Sequence, residues 1–192
     1  MTTIRFNIIA STFKYGEEDA QQELLGLLEL LGDHHPYAEI TNINGIIVAY
    51  TNLSPFRIID LIRRLVIDEP WQVRYILRLI PMELMVSTKL GDIANAVKSL
   101  TPKMHSQDTF RITVEKRHSV LSTDDIIATL ASKIDNRVQL KSPDWIVLVE
   151  IIGAFTGVSI LKQDQIFRSV IEKRNSSSYY NNSNFGYNDT TM

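Results

Sequence analysis

Residues 37–51, YAEITNINGIIVAYT, decide how the first half of the chain folds. Two short runs rich in β-branched and aromatic residues flank Asn44-Gly45, a dipeptide whose glycine supplies the positive φ that tight hairpin turns need. The stretch predicts two antiparallel strands. Upstream, IRFNIIAST (4–12) predicts another strand, and after Gly16 the run EEDAQQELLGLLELL carries its acids first, as suits a helix N-terminus.

Downstream, Ser54 and Pro55 predict the cap and first position of a helix that aligns Ile59, Ile62 and Val66 until Pro70 ends it. VRYILRLIPMELMVS (73–87) then resumes as strand. The order is β-α-β-β-α-β, the split βαβ arrangement of a ferredoxin-like sandwich, with both helices on one face of an antiparallel sheet.

A fresh unit starts near Thr88. DIANAVKSL (92–100) predicts a short helix aligned on Ile93, Val97 and Leu100, and after Pro102 a polar loop leads into FRITVEKRHS (110–119). There Phe110, Ile112 and Val114 alternate with Arg111 and Thr113 before the strand runs out through Glu115 into Lys116, Arg117, His118 and Ser119. Ser122 with Asp125 reads as a capping box, and the helix behind it puts Ile126, Leu130 and Ile134 on one stripe. WIVLVEII (145–152) and TGVSIL (156–161) predict adjacent strands, the first apolar enough to be covered on both faces. Asp164 is expected to cap a last helix over IFRSVIEKR (166–174).

The fold class is α+β / α/β: a ferredoxin-like domain over 1–88 and an α/β domain over 89–174. A disordered tail is expected over 175–192, where the sequence turns asparagine-rich and almost uncharged. Its Tyr179, Tyr180, Phe185 and Tyr187 fit stacking on bases or on a partner, and equally a loosely selected extension.

With 44% apolar residues, the 192-residue chain can build a real core. It contains no cysteine, which excludes disulfides, thiolate metal sites and a cysteine nucleophile and points to an intracellular, cytoplasmic protein. His34, His35, His105 and His118 show no metal-ligand spacing, so no metal is expected. No apolar run reaches the ~20 residues of a membrane span. The net charge of −2 is unevenly shared: residues 1–88 hold 7 basic and 11 acidic side chains, residues 89–173 hold 12 and 10.

Signatures for nucleotide cofactors and for serine hydrolases are missing, so no cofactor is expected and the chain reads as a non-enzyme. The acidic pairs Glu17-Glu18, Asp68-Glu69 and Asp124-Asp125 fall at helix ends, where neighbours do not face each other and make poor acid/base dyads. Glu150 stands in an apolar strand and needs a partner, with Arg111 the candidate for a structural ion pair. Lys116, Arg117, His118 and Ser119 leave one strand end together, with Arg137 and Lys141 flanking the segment before Pro143. If those segments are sheet neighbours they share an edge able to grip phosphates, although a solvated strand end fits the same spacing.

TFRITVEKRHS, LSTDDIIATLASKI and SPDWIVLVEIIGAFTGVSIL, together with EPWQVRYILRLIPME before them, resemble the THUMP domain, specifically the stand-alone THUMP proteins that assist tRNA cytidine acetylation. The resemblance spans residues 3–173. It implies an RNA-binding module that, with the ferredoxin-like domain before it, grasps the acceptor stem and 3′ CCA end of tRNA. It also implies a non-catalytic adaptor that hands serine and leucine tRNAs to a separate RNA cytidine acetyltransferase, the partner that uses acetyl-CoA and ATP, for acetylcytidine formation in the D-arm. The family's basic strand end maps onto Lys116 and Arg117, followed by His118 and Ser119, and proximity extends the set to Arg111, Arg137 and Lys141. An RNA-binding subunit of a thiolation or methylation system and a protein-binding scaffold are the alternatives.

Overall fold

The computed structural model describes residues 5–175, so residues 176–192 of the expected tail, with its four aromatic residues, lie outside the described residues. Strand β1 (Ile8–Ser11), helix α1 (Glu17–Leu30), strands β2 (Tyr37–Ile40) and β3 (Ile46–Tyr50), helix α2 (Pro55–Asp68) and strand β4 (Arg78–Pro81) follow the expected order. They form an antiparallel sheet in the sequence β4-β1-β3-β2, the ferredoxin-like topology. Ile8, Ala10, Ile47, Ala49 and Leu79 point from one face into a core closed by Leu24 and Leu28 of α1 and by Ile59, Ile62 and Val66 of α2.

Local chemistry sets these elements. Ser54 Oγ accepts from the Arg57 N–H at 3.5 Å, with Pro55 at the first helical position where a missing N–H does no harm. In the hairpin, Ile46 N–H bonds back to Ile43 O at 3.1 Å around Asn44 and Gly45, and Gly45 takes φ 74° with its Cα hydrogen toward Thr12 O, where a Cβ would stand at 2.8 Å. Glu17 does more than charge a helix start. Its carboxylate accepts the Gly45 N–H at 2.7 Å, which ties α1 to the hairpin and holds the Glu17 pKa below the usual carboxylate range.

The second half consists of β5 (Leu84–Ser87), α3 (Leu90–Leu100), β6 (Thr109–Arg117), α4 (Thr123–Ala131), β7 (Arg137–Val138), β8 (Trp145–Ile152) and β9 (Phe155–Leu161). Its sheet runs β5-β9-β8-β6-β7, with β6 parallel to both β7 and β8. Ile93 and Val97 of α3 and Ile126 and Leu130 of α4 pack on Val147, Val149 and Ile151 of β8. The opposite face of β8 presents Ile146, Leu148 and Ile152 to Ile9, Val48 and Ile80 of the first sheet. Strand β8 is thus covered on both sides, as its apolar run, broken by Glu150 alone, requires.

Two expectations are corrected. Residues 73–87 are two strands serving different sheets: β4 ends at Pro81, which has no N–H to continue the ladder, Met82 N–H bonds to Asn7 O, and Glu83 N–H already bonds to Val158 O in the second sheet. Residues 166–174 are not one helix capped by Asp164. A single 3-10 turn spans Gln163–Gln165, then β10 (Phe167–Arg168) pairs with Leu79 and Arg78 of β4, and the helical segment covers 169–175. Burying Ile166 and Phe167 against the first sheet outweighs their helical spacing.

Candidate nucleic-acid interface

Consecutive residues of a strand point to opposite faces, and this separates Lys116 from Arg117. On the helix-covered face Lys116 Nζ donates to Leu121 O at 2.6 Å. On the face toward the first sheet Arg117 Nη1 meets Glu150 Oε2 at 2.8 Å. The Glu150 side chain is 0% exposed, and its other oxygen, without a hydrogen bond, lies 3.9 Å from Arg78 Nη1. Burial raises the Glu150 pKa against the opposing pull of Arg117 and Arg78.

The expected Glu150–Arg111 pair is therefore replaced by Glu150–Arg117. The parallel register explains why. Glu150 sits beside Glu115, whereas Arg111 sits beside Ile146, four residues or about 13 Å back along the strand. Arg111 is held elsewhere: Nη1 donates to Leu140 O at 3.3 Å and Nη2 to Gln163 Oε1 at 3.0 Å.

At the end of β6, His118 takes the left-handed φ of 53° that breaks the strand, and Ser119 Oγ accepts the Leu121 N–H at 3.3 Å. Arg137 and Lys141 are exposed. Arg137, in β7, lies beside Thr109 at the opposite end of β6, about 25 Å from the Lys116–Ser119 turn. Strands β6 and β7 are sheet neighbours, but parallel pairing divides the candidates into two groups: Arg111, Arg137 and Lys141 toward the start of β6, and Lys116, Arg117, His118 and Ser119 at its end.

Two cations escape sequence reasoning. Arg78 of β4 and Arg168 of β10 face Arg111 across a cleft of about 270 Å³ between the sheets, lined also by Thr113, Glu115 and Gln163. Each lies within an apolar stretch, ILRLIP and IFRSV, the same signal that singled out Glu150. Among the described residues no group of three or more His, Cys, Asp or Glu side chains is placed to hold a metal, and no helix is long and apolar enough to cross a membrane.

The THUMP domain family matches residues 87–161, the span from the end of β5 to the end of β9. A search of curated protein sequences finds no match. Among solved structures the chain resembles PH1313 from Pyrococcus horikoshii Ot3, with a TM-score of 0.64 at 20% identity over 82% of this chain and 55% of that one. It also resembles TrmN from Thermus thermophilus, with a TM-score of 0.52 at 15% identity over 80% and 44% of the two chains. A 4-thiouridine synthetase bound to RNA and ATP gives 0.52 at 14% identity over 85% and 42%. At these identities the likeness is one of fold, and the chain spans about half the length of these proteins.

Proposed function

We propose that the chain is a non-catalytic tRNA-binding adaptor. It grips the acceptor stem and 3′ CCA end and presents serine and leucine tRNAs to a separate RNA cytidine acetyltransferase. The observation that carries this reading is the THUMP domain match over residues 87–161, placed behind a ferredoxin-like sheet. Support comes from the same fold in a 4-thiouridine synthetase bound to RNA. An adaptor clamped on one end of a tRNA fixes where the D-arm lies, so a partner enzyme meets one cytidine at high effective concentration. Unstacked bases of a 3′ end expose edges and 2′-hydroxyls, and cations nearby hold the phosphates.

Gel-shift titration with intact tRNA and with tRNA lacking CCA tests the grip, and tighter binding of the intact form is expected. Arg137→Ala/Lys141→Ala removes two exposed cations, so circular dichroism should show an unchanged fold. Affinity should fall about ten-fold or more, with a shallower salt dependence. Equal binding of both RNAs by both proteins refutes the end-gripping role. Mapping acetylcytidine in serine and leucine tRNAs after deletion of the gene tests the adaptor role, and unchanged acetylation refutes it. The fold shared with a 4-thiouridine synthetase supports a second reading, an RNA-binding subunit of a thiolation system, which loss of 4-thiouridine with intact acetylcytidine would favour.

A further inference from the structure

The cleft between the two sheets gathers more positive charge than the protein neutralises. Arg78 and Arg168 are register partners on the antiparallel strands β4 and β10, so their side chains rise from adjacent positions on one face. Like charges in that arrangement oppose folding. Arg111 approaches from the other sheet and lines the same cleft. Of the carboxylates nearby, Glu115 lines the cleft, while Glu150 lies in the sheet beneath, committed to Arg117 at 2.8 Å and only 3.9 Å from Arg78. Glu172 also acts on Arg168, but it is bonded to Arg63 at 2.9 Å. Burial, then the charges of Arg78 and Arg111, push the Arg168 pKa down.

Hydrogen bonding shows the same deficit. The Nε–H groups of Arg78 and Arg111 are buried without an acceptor, although buried donors in folded proteins nearly always find one. Arg111 is anchored through both terminal nitrogens, to Leu140 O and Gln163 Oε1, while its Nε–H stays without an acceptor. Three guanidinium groups lining one small cleft suit an anion with several strong acceptor oxygens. Guanidinium groups suit tetrahedral oxyanions because their planar forks donate two bonds at once.

We propose that this cleft binds a phosphate group, with Arg78, Arg111 and Arg168 as its grip, and that in the RNA-bound protein the group is a backbone phosphate. The second clause rests on the RNA-binding reading above; the first stands without it. Such a site joins the two sheets, because Arg111 belongs to one and Arg78 and Arg168 to the other, so an occupied cleft holds them in one arrangement.

The test follows thermal unfolding of the full chain, wild type and Arg168→Gln, in inorganic phosphate and in sodium chloride at matched ionic strength. A parallel arm measures anisotropy of a labelled 3′-terminal tRNA fragment across a salt series. Phosphate should raise the wild-type Tm saturably above chloride and should not protect Arg168→Gln. In chloride the variant should melt no lower than wild type, because the repulsion opposite Arg78 is gone, an outcome that a purely structural arginine would not give. Arg111→Gln, from the other sheet, should lose the same protection. RNA affinity should fall about ten-fold in Arg168→Gln, and the salt slope by about 0.7. A wild type indifferent to phosphate, or variants protected as well as wild type, overturns the site. Phosphate protection with RNA binding unchanged in Arg168→Gln overturns the backbone-phosphate clause and assigns the cleft to a free phosphate compound. Phosphate protection in a wild type that binds no RNA upholds the site and refutes the RNA-binding function.

Discussion

Arg117→Ala is expected to destabilise the fold by about 3–5 kcal/mol, because it strands a buried carboxylate. Glu150 lies on the face of β8 that meets the first sheet, is 0% exposed, and has its closest cation in Arg117 at 2.8 Å. Arg78, at 3.9 Å, is too distant to replace it. The deficit should depend on pH. Burial already lifts the Glu150 pKa above its ordinary value, so this group favours the folded state below the unfolded carboxylate range and loses that contribution as pH rises through the folded pKa. Without Arg117 the folded pKa climbs further, and the gap between variant and wild type should widen from pH 5 to pH 8. Urea unfolding at the two pH values measures it. Arg117→Ala/Glu150→Gln should be more stable than Arg117→Ala alone, since it removes the charge that lost its partner. A deficit under about 1 kcal/mol at pH 8 would show that water reaches Glu150 after all. Because Arg117 has this structural duty, Lys116 and the exposed Arg137 and Lys141 are the cleaner probes of RNA contact.

What could be read in advance divides by whether the deciding contact is local. Asn44-Gly45, Ser54-Pro55 and Ser122 with Asp125 each act within a few residues, and the elements they begin or join start where expected, although α4 ends at Ala131 and leaves Ile134 beyond the helix. The apolar run of residues 73–87 carries no local sign that the chain changes sheets between Met82 and Glu83, because the partners that divide it, Asn7 and Val158, are remote. Phe167 and Arg168 have helical neighbours and spacing, yet β4 draws them into a strand. The candidate site follows the same division. That Glu150 needs a cation is legible from one charge in an apolar strand, whereas the identity of that cation depends on the parallel register of β6 and β8, which no short-range pattern encodes. Arg78 and Arg168 could have been flagged by the rule that flagged Glu150. Their convergence could not, since it requires β10 to close the edge of a sheet begun at the other end of the chain.

That closure supplies the second large effect. Phe167→Ala is expected to destabilise by about 3–5 kcal/mol, in the range of large-to-small changes in a packed core. Phe167 is fully buried beside Leu79 in the core under α1 and α2, although it follows the whole second half in sequence. Its neighbours hold the same junction: Ser169 N–H bonds to Leu77 O at 3.0 Å, and Glu172 pairs with Arg63 of α2 at 2.9 Å. Val170→Ala, at a half-exposed position in the following helical segment, should cost under about 0.5 kcal/mol and serves as the control. Equilibrium urea unfolding distinguishes them, and equal midpoints would mean that β10 is an appendage rather than part of the core. The consequence extends to the cleft. Arg168 is the next residue of β10, so its guanidinium is aimed by the anchoring of Phe167, and Phe167→Ala should weaken phosphate protection even under conditions where the protein remains folded.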